Sequence, residues 1–309
     1  MRLLVTGGAG FIGSHVVDAY VAAGHDVVVV DTLRTGRADY VHPRARLYQV
    51  DVASPELADV FARERPEVVN HHAALASVSL SVRQPLEDAR VNVLGTLNVL
   101  DQAARSGVRR VIYASTGGAL YGEPETIPVR EDHPVRPLSP YGASKYAGEV
   151  YVRLYHRLHG LPYFILRYSN VFGPRQDPLG EAGVVAIFAA AMLRGQTPVI
   201  FGDGTQTRDF VYVEDVVRAN LLATTSQDCG VVHIATGVET TVKDVHRLLA
   251  AAIGYWAAPQ HGPPREGDVY RIALDVTLAG RTLGWRPQVV LEEGLRRTVE
   301  WFRSRGLQE

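Results

Sequence analysis

The amino-acid sequence predicts an α/β fold, with a doubly wound parallel sheet and a smaller mixed α/β domain. Over the first 170 of its 309 residues, short valine-rich runs alternate with longer amphipathic stretches. This alternation is typical of βαβ units on a parallel sheet. From about Val171 it stops, and short strands mix with helices in irregular order. The change of rhythm predicts a sheet-forming unit followed by a second, smaller one.

The elements of the first unit follow one another from the chain start. Gly24 is expected to end the first helix as a C′ residue, and Ser54 and Pro55 to begin the second as N-cap and N1 residues. Strands are predicted at 2–6, 26–31, 46–51, 67–72, 109–115 and 162–170, and helices at 11–24, 54–65, 85–107 and 141–159.

The second unit begins with an irregular segment rich in glycine and proline. Some of its pieces are expected to return to the first sheet. The predicted boundaries are 1–170 for the first domain, with return segments near 211–236, and 171–210 with 237–309 for the second. Strands are predicted at 198–202, 209–213 and 231–236, and helices near 214–225, 241–252 and 291–305.

Composition limits the classes of partner. The chain is 46% hydrophobic and 21% charged, with a formal net charge of -1, so electrostatics give no reason to expect nucleic acid or an anionic membrane. No apolar run approaches the roughly 20 residues that cross a bilayer. The single cysteine, Cys229, excludes an internal disulfide and suits a reducing compartment, which predicts a cytoplasmic protein.

A glycine-rich turn joins the first strand to the first helix. The segment TGGAGFIG places Gly7, Gly10 and Gly13 at G-x-x-G-x-x-G spacing. Glycine at these positions lets backbone N–H groups at the positive end of a helix approach a pyrophosphate. The turn therefore predicts a Rossmann-type dinucleotide site.

Two acidic residues end the next two strands. Asp31 lies where a carboxylate binds the adenosine ribose, and its charge would repel a 2′-phosphate, so NAD is favoured over NADP. Arg34 and Arg37 lie nearby and weaken that preference. Asp51 has two interpretations that the sequence leaves open, contact with the adenine amine or the capping of a turn.

Tyr141 and Lys145 lie one helical turn apart in SPYGASKYAGE, and Lys145 is one of only two lysines, with Lys243. Side chains at i and i+4 share a helix face, and an adjacent ammonium lowers the pKa of a phenol from its usual value of about 10. Because the pair follows a predicted dinucleotide site along the chain, it predicts a tyrosine that acts as a base.

Ser115 and Thr116 end the fifth strand. Hydroxyl groups at this end of a parallel sheet can face the ligand crevice, or they can form a turn.

These motifs resemble the extended short-chain dehydrogenase/reductase superfamily, and within it the nucleotide-sugar 4-epimerases. The resemblance continues through YASTGGALYGE, LRYSNVFGP, GDGTQTRDFVYVEDV and REGDVYR, over nearly the whole chain. It implies an NAD-dependent isomerase that interconverts UDP-glucose and UDP-galactose through a transient 4-keto sugar. It also implies a homodimer that pairs the two long helices, an NAD-binding first domain and a nucleotide-sugar-binding second domain. No metal is expected.

The resemblance assigns catalytic roles. Tyr141 takes the 4-hydroxyl proton, Lys145 holds the nicotinamide ribose and tunes the tyrosine, and a hydroxyl bridges to the sugar oxygen. Counted back from Tyr121 that hydroxyl falls on Gly117, but counted forward from the strand it falls on Thr116. We assign Thr116, because strand ends fix positions better than loops do.

The resemblance also implies further binding residues. Ile272 would limit the room beside the sugar C2, and its intermediate size leaves N-acetylhexosamine substrates open. The remaining cofactor contacts are Phe11, Ile12, Val52, Ala73, Ala74, Leu75, Asn92, Ser115 and Tyr168. The UDP contacts are Asn170, Arg208, Arg265 and Asp268.

Other functions on the same fold agree with the sequence to different degrees. A dehydratase is close to excluded, because Gly117 and Gly118 stand where that class has an acid–base pair. An epimerase for UDP-N-acetylglucosamine or for both sugar types, and a UDP-glucuronate epimerase or decarboxylase, stay open. An NAD-sensing binding protein would not need the tyrosine and lysine. His71 and His72 point to opposite faces of a strand, which favours packing over a metal site.

Overall fold

The computed structural model describes residues 1–178, 183–264 and 269–305. Its strands are β1 (Arg2–Thr6), β2 (Asp26–Val30), β3 (Arg46–Tyr48), β4 (Val68–His71), β5 (Arg110–Thr116), β6 (Tyr163–Tyr168), β7 (Asn170–Phe172), β8 (Val199–Phe201), β9 (Thr207–Arg208), β10 (Phe210–Tyr212), β11 (Gly230–Ile234), β12 (Thr240–Thr241) and β13 (Gln260–Gly262). Its α-helices are α1 (Phe11–Ala22), α2 (Leu57–Glu64), α3 (Val78–Arg83), α4 (Pro85–Ala89), α5 (Gly95–Arg105), α6 (Pro140–His159), α7 (Val184–Leu193), α8 (Val213–Thr225), α9 (Val242–Ile253), α10 (Thr277–Leu283) and α11 (Leu291–Arg305).

Seven strands form one parallel sheet in the order β3-β2-β1-β4-β5-β6-β11. The chain builds outward from β1 to β3, then returns past β1 to build β4, β5 and β6 on the other side. Such a reversal opens a crevice at the carboxyl ends of the two central strands. The predicted doubly wound parallel sheet is confirmed.

The strands β1, β2, β4, β5 and β6 are buried on both faces, which is why most of them read as continuous apolar runs. No described helix is both long and apolar enough to cross a membrane. One face is covered by α1 and α8, through Val16, Val17, Tyr20, Val216, Ala219 and Ala223. The other face is covered by α2, α5 and α6, through Val60, Phe61, Val99, Leu100 and Val152.

The long helix predicted at 85–107 is not uniform. Between α4 and α5 the chain forms a π-helical turn at Arg90–Leu94. Short π segments occur frequently at functional sites. This turn carries the buried Asn92, whose contacts are described below.

The second half of the chain builds its own core and also contributes to the first sheet. β11 pairs in parallel with β6 at the edge of the seven-stranded sheet. β7 and β10 pair in parallel, and α7, α9 and α11 pack beside them. The core there contains Phe172, Val185, Phe188, Phe210, Leu249 and Phe302.

Some local predictions were wrong. The second helix begins at Leu57 with Glu56 as N-cap residue, because the hydroxyl of Ser54 bonds the Glu56 carboxylate and i→i+3 backbone bonds form the preceding turns. Three helices, α3, α7 and α10, were not predicted from the sequence.

Candidate active site

The glycine turn after β1 has the shape that a dinucleotide pyrophosphate requires. Gly7 has a φ of +70°, and a Cβ at Gly13 would collide with the Gly7 carbonyl oxygen, so the turn packs tightly against α1. A Cβ at Gly10 would meet only the Gly7 oxygen, at 3.3 Å, and would otherwise enter the cavity that Gly10 lines. The turn therefore leaves room for a phosphate next to the backbone N–H groups.

We expect Gly10→Ala to weaken NAD binding by at least about tenfold, or ~1.4 kcal/mol, without unfolding the protein. The added methyl group would occupy the space that a phosphate needs, while its only close protein neighbour is at 3.3 Å. Calorimetric titration of cofactor-depleted protein with NAD measures the change. Gly230→Ala is the matched control, because a methyl group there meets nothing within 4 Å. Equal affinities in the two variants would contradict the assignment.

A cavity of about 540 Å³ extends from this turn along the crevice. It is of the size that holds a small-molecule cofactor. With one exception, Asn92, all the predicted cofactor residues line it. They are Gly7, Gly10, Phe11, Ile12, Gly13, Asp31, Asp51, Val52, Ala73, Ala74, Leu75, Ser115, Tyr141, Lys145 and Tyr168.

The charges at one end of this cavity favour a ribose without a 2′-phosphate. The Asp31 carboxylate lines the cavity and accepts two backbone N–H bonds of 3.0 and 2.8 Å. The neighbouring guanidinium groups have carboxylate partners: Arg34 bonds Glu87 at 2.9 Å and Arg37 bonds Asp39 at 2.9 Å. Negative charge thus remains at this end of the cavity, which favours NAD over NADP.

Asp51 combines a turn-forming role with a place in the cavity wall. Its Oδ1 accepts a 2.8 Å bond from the N–H of Ala53, which forms a turn. Its Oδ2 pairs with Arg90 at 2.9 Å, and both side chains line the cavity. Asp51 therefore shapes the turn and the cavity wall together.

Asn92 acts through a neighbouring loop. Its side chain is buried in the π-helical turn, accepts a 2.8 Å bond from the N–H of Leu75 and donates a 3.1 Å bond to the Leu75 carbonyl. It also donates to Ser144 on α6 at 3.0 Å. Asn92 thus positions the loop that lines the cavity and does not line it directly.

The tyrosine and lysine lie in the first turns of α6. Ser139 caps this helix by accepting a 3.2 Å bond from the Gly142 N–H, which fixes the direction of Tyr141. Lys145 is 4% exposed, and its ammonium lies 4.3 Å from the centroid of the Tyr113 ring, a cation–π contact. Both side chains line the cofactor cavity.

Removal from water determines the protonation of both groups. Burial, followed by the charge of the Asp88 carboxylate, raises the pKa of Tyr141 to about 12, and a hydrogen bond with Thr116 opposes the shift. Burial lowers the pKa of Lys145 to about 8, while the carboxylates of Glu149 and Asp88 raise it. Tyr141 is therefore a neutral phenol at pH 7, and Lys145 is mainly an ammonium in contact with the Tyr113 ring.

A second, smaller cavity of about 190 Å³ adjoins the first. Thr116, Asn170 and Arg208 line it, and Tyr141 lines both cavities. The Arg208 guanidinium donates a 2.8 Å bond to the Thr207 carbonyl. The phenol thus lies at the boundary between a cofactor-sized space and a space with a cation suited to phosphate oxygens.

Thr116, and not Gly117, presents the hydroxyl to Tyr141. It is the last residue of β5, and its side chain bonds that of Tyr141. The N–H of Gly117 donates a 2.7 Å bond to the Tyr168 carbonyl instead. The extra glycine therefore lengthens the loop beyond the strand and leaves the hydroxyl at the strand end.

Ile272 is 1% exposed and packs in a cluster with Leu120, Tyr121, Val129 and Leu274, whereas Val269 lines the small cavity. The assignment of Ile272 to the space beside the sugar C2 stays a prediction. Arg265 and Asp268 lie outside the described residues.

The two adjacent histidines have different surroundings. His71 is buried and bonds Thr6 at 2.6 Å and Thr96 at 2.9 Å. His72 lines the cofactor cavity and bonds the Tyr168 hydroxyl at 3.2 Å, so it does more than the predicted packing. In the described ranges no three His, Cys, Asp or Glu side chains are grouped to hold a metal ion.

One buried residue beside the small cavity, Asp209, was not predicted from the sequence. Asp209 follows Arg208 and is fully buried. Its carboxylate accepts backbone N–H bonds from Thr236, Gly237 and Leu274 at 2.8, 2.8 and 3.2 Å. It thereby joins three segments beside the small cavity. The charged pair in TRDF, next to an apolar strand, is the signal that could have identified it.

A tyrosine and a lysine at the mouth of a dinucleotide cavity define an enzyme that works with a nicotinamide cofactor. The chain belongs to the NAD dependent epimerase/dehydratase family, whose profile matches residues 3–235. The resemblance inferred from the motifs is thereby confirmed, and NAD is the cofactor of this family.

Three similar proteins illustrate the relationship. The UDP-glucose 4-epimerase of Mycolicibacterium smegmatis is 47% identical over 99% of both chains. The crystal structure of the Thermotoga maritima UDP-glucose 4-epimerase with UDP-glucose has a TM-score of 0.97 and 50% identity over 99% of both chains. The Thermus thermophilus UDP-glucose 4-epimerase in complex with NAD has a TM-score of 0.94 and 45% identity over 100% of both chains.

Proposed function

We propose that this protein is an NAD-dependent 4-epimerase that interconverts UDP-glucose and UDP-galactose through a transient 4-keto sugar. The observation that carries the proposal is the position of Tyr141, which lines both the cofactor cavity and the small cavity. A single phenol can therefore contact the cofactor side and the sugar at once. The names of the similar proteins support the choice of sugar nucleotide.

In this reaction Tyr141 accepts the proton of the sugar 4-hydroxyl while a hydride leaves C4. After the 4-keto sugar has turned over, Tyr141 returns the proton to the 4-oxygen while the hydride is returned to the opposite face of C4. Bound NAD supplies the hydride acceptor and a cationic ring. Thr116 supports the phenol through its hydrogen bond and can contact the sugar oxygen. Lys145 supplies a buried ammonium on the same cavity wall.

To act as a base near neutral pH, Tyr141 must be present as a phenolate, so the phenolate has to be stabilised relative to the phenol. Lowering its pKa from about 12 towards neutrality requires roughly 7 kcal/mol at ~1.4 kcal/mol per unit. One neutral hydroxyl cannot supply this amount. Positive charge in a water-poor cavity can, because Coulomb interactions are strong there. A buried ammonium next to a cationic cofactor ring meets that requirement.

The UDP portion is assigned to the second half of the chain. Asn170 and Arg208 line the small cavity, and a guanidinium suits diphosphate oxygens. The sequence-based assignment of Arg265 and Asp268 to the same task stays a prediction. On this assignment 1–170 and 211–236 form the NAD-binding domain, and 171–210 and 237–309 form the nucleotide-sugar domain.

The function is tested by incubating the purified protein with UDP-galactose, without and then with added NAD, and following the anomeric signals by NMR. We expect conversion to UDP-glucose. A parallel sample with UDP-N-acetylgalactosamine distinguishes a hexose epimerase from one that accepts both sugars. If UDP-galactose is unchanged even with NAD, and UDP-glucuronate loses carbon dioxide instead, the proposal is wrong.

We further propose a cytoplasmic homodimer. The two long helical segments carry exposed apolar side chains that a monomer would leave in water, namely Leu86, Leu94, Val150, Leu154 and Leu158. Pairing these helices with a second copy would bury them in a four-helix contact.

We expect light scattering at micromolar concentration to give twice the chain mass of 33.8 kDa. Leu154→Arg should shift the mass towards the monomer, because a guanidinium would be buried at the contact. Val290→Arg, at a position that is 65% exposed outside these helices, should leave the mass unchanged. A monomeric mass for the unaltered protein would contradict the dimer.

A further inference from the structure

Asp88 is a buried carboxylate to which the proposed mechanism gives no task. It lies in α4 and is 1% exposed. The ion pairs of this segment are made by Glu87 with Arg34 and Arg90, and within the described part of the chain none involves Asp88. A carboxylate is costly to bury without a counter-ion. Its retention here therefore calls for a specific interaction.

The hydrogen bonds of Asp88 connect the cofactor loop to the catalytic helix. Asn92 donates a 2.9 Å bond to its Oδ1 and a 3.0 Å bond to the hydroxyl of Ser144, the residue before Lys145. That hydroxyl donates to the Tyr141 carbonyl at 3.0 Å, and it lies close enough to the Asp88 carboxyl to lower the pKa of that group, against the rise that burial causes. Asn92 also holds Leu75 through two bonds to its backbone. Asp88 is thus the acceptor at which these two elements meet.

Asp88 also has fewer cationic partners than Glu149, the other carboxylate that acts on Lys145. Glu149 forms ion pairs with Arg167 at 2.6 Å and Arg153 at 3.2 Å. Burial lowers the pKa of His72 to about 3 and keeps that of His71 well below its usual value, so both rings are neutral. The titratable groups that face Lys145 are Tyr141 and Glu149 on α6, Asp88 on α4, Tyr113 on β5, and His71 and His72 at the end of β4.

We propose that Asp88 is a positioning residue of the epimerase, which joins the cofactor loop to the catalytic helix and places a negative charge beside Lys145. The inference rests on the proposed function for its purpose, but its effect on the charge of Lys145 can be measured without substrate. After the Glu149 carboxylate, the Asp88 carboxylate raises the pKa of Lys145 and so favours the charged ammonium against the effect of burial. It also disfavours the phenolate of Tyr141 until cationic charge enters the cavity.

The scarcity of lysine makes a direct test possible. The chain contains two lysines, Lys145 and Lys243, so protein labelled with ¹³C at lysine Cε gives two titrating NMR signals, and Lys243→Arg identifies them. We expect Asp88→Asn to lower the pKa of Lys145 from about 8 by about one unit. Asp59→Asn, an exposed carboxylate on α2, is the matched control and should leave it unchanged.

An unchanged pKa of Lys145 in Asp88→Asn would overturn the proposal. If that variant does not fold, Asp88→Ser serves the same purpose. The titration needs no substrate, so its outcome is separate from any failure of the unaltered protein to convert UDP-galactose.

In active protein the pH–rate profile provides a second measurement. Loss of the carboxylate lowers the pKa of both Tyr141 and Lys145, so both limbs should move to lower pH in Asp88→Asn. The acid limb moves because the phenol ionises more easily, and the alkaline limb because the ammonium loses its proton earlier. A slower rate with unmoved limbs would indicate a purely structural role and would overturn the proposal.

Discussion

Tyr141→Phe is expected to lower the rate of UDP-galactose conversion by about 10²- to 10⁴-fold, the range for losing a positioned acid–base group. Phenylalanine fills the same space, so the fold and both cavities should persist. The variant lacks only the atom that bonds Thr116 and that would exchange a proton with the sugar. The loss should therefore fall on kcat, with NAD affinity nearly unchanged.

The measurement is a steady-state assay combined with calorimetric titration of NAD. Tyr155→Phe is the matched control on the same helix, since Tyr155 packs against the sheet core and does not line either cavity. It should retain the full rate. If Tyr141→Phe kept the rate of the control, the assignment of the base would be wrong.

Glu149→Gln is expected to lower the free energy of unfolding by about 3–5 kcal/mol, the range for breaking a buried ion pair by removing one partner. Glu149 is completely buried and Arg167 is 2% exposed. The guanidinium makes bonds of 2.8 and 2.6 Å to the two carboxylate oxygens. Without the carboxylate, Arg167 would keep its charge in the core with no counter-ion at that distance.

Denaturant unfolding monitored by circular dichroism measures the change. The double variant Glu149→Gln/Arg167→Met should recover part of the loss, because it removes the uncompensated charge as well. Asp101→Asn, in an exposed pair with Arg105 at 3.5 Å, should have little effect. A Glu149→Gln variant as stable as that control would show that the buried pair contributes little.

The sequence was most informative where burial is complete. Strands such as Val27 to Val30 are buried on both faces, so their composition alone identifies them. The glycine turn was equally readable, because Gly7 and Gly13 are required by backbone geometry within one short segment. Many of the predicted cofactor residues gather around one cavity, since they lie at or just beyond the carboxyl ends of these strands; Tyr141 and Lys145 reach it from α6.

The missed elements lack a periodic signal. α7 reads VVAIFAAAML and is apolar on all sides, so no face is distinguished and a helix cannot be told from a buried strand. The burial of Ile272 could not be predicted, because a count along a loop does not show which side chains turn into the core. Asp88 was missed because an acid in the first turn of a helix is ordinarily explained by the helix dipole.

The pairing of β11 with β6 has a consequence for how the protein is made. The last strand of the main sheet is Gly230–Ile234, more than 60 residues after β6 ends at Tyr168. A ribosome-bound or proteolysed fragment that stops near residue 170 would therefore carry every residue of the glycine turn and of the tyrosine–lysine pair. It would nevertheless expose an open edge at β6 beside Phe164 and Leu166. Such an edge is a template for aggregation. The sheet of the first half is therefore protected at β6 only after the second half of the chain has been made and β11 has paired with it.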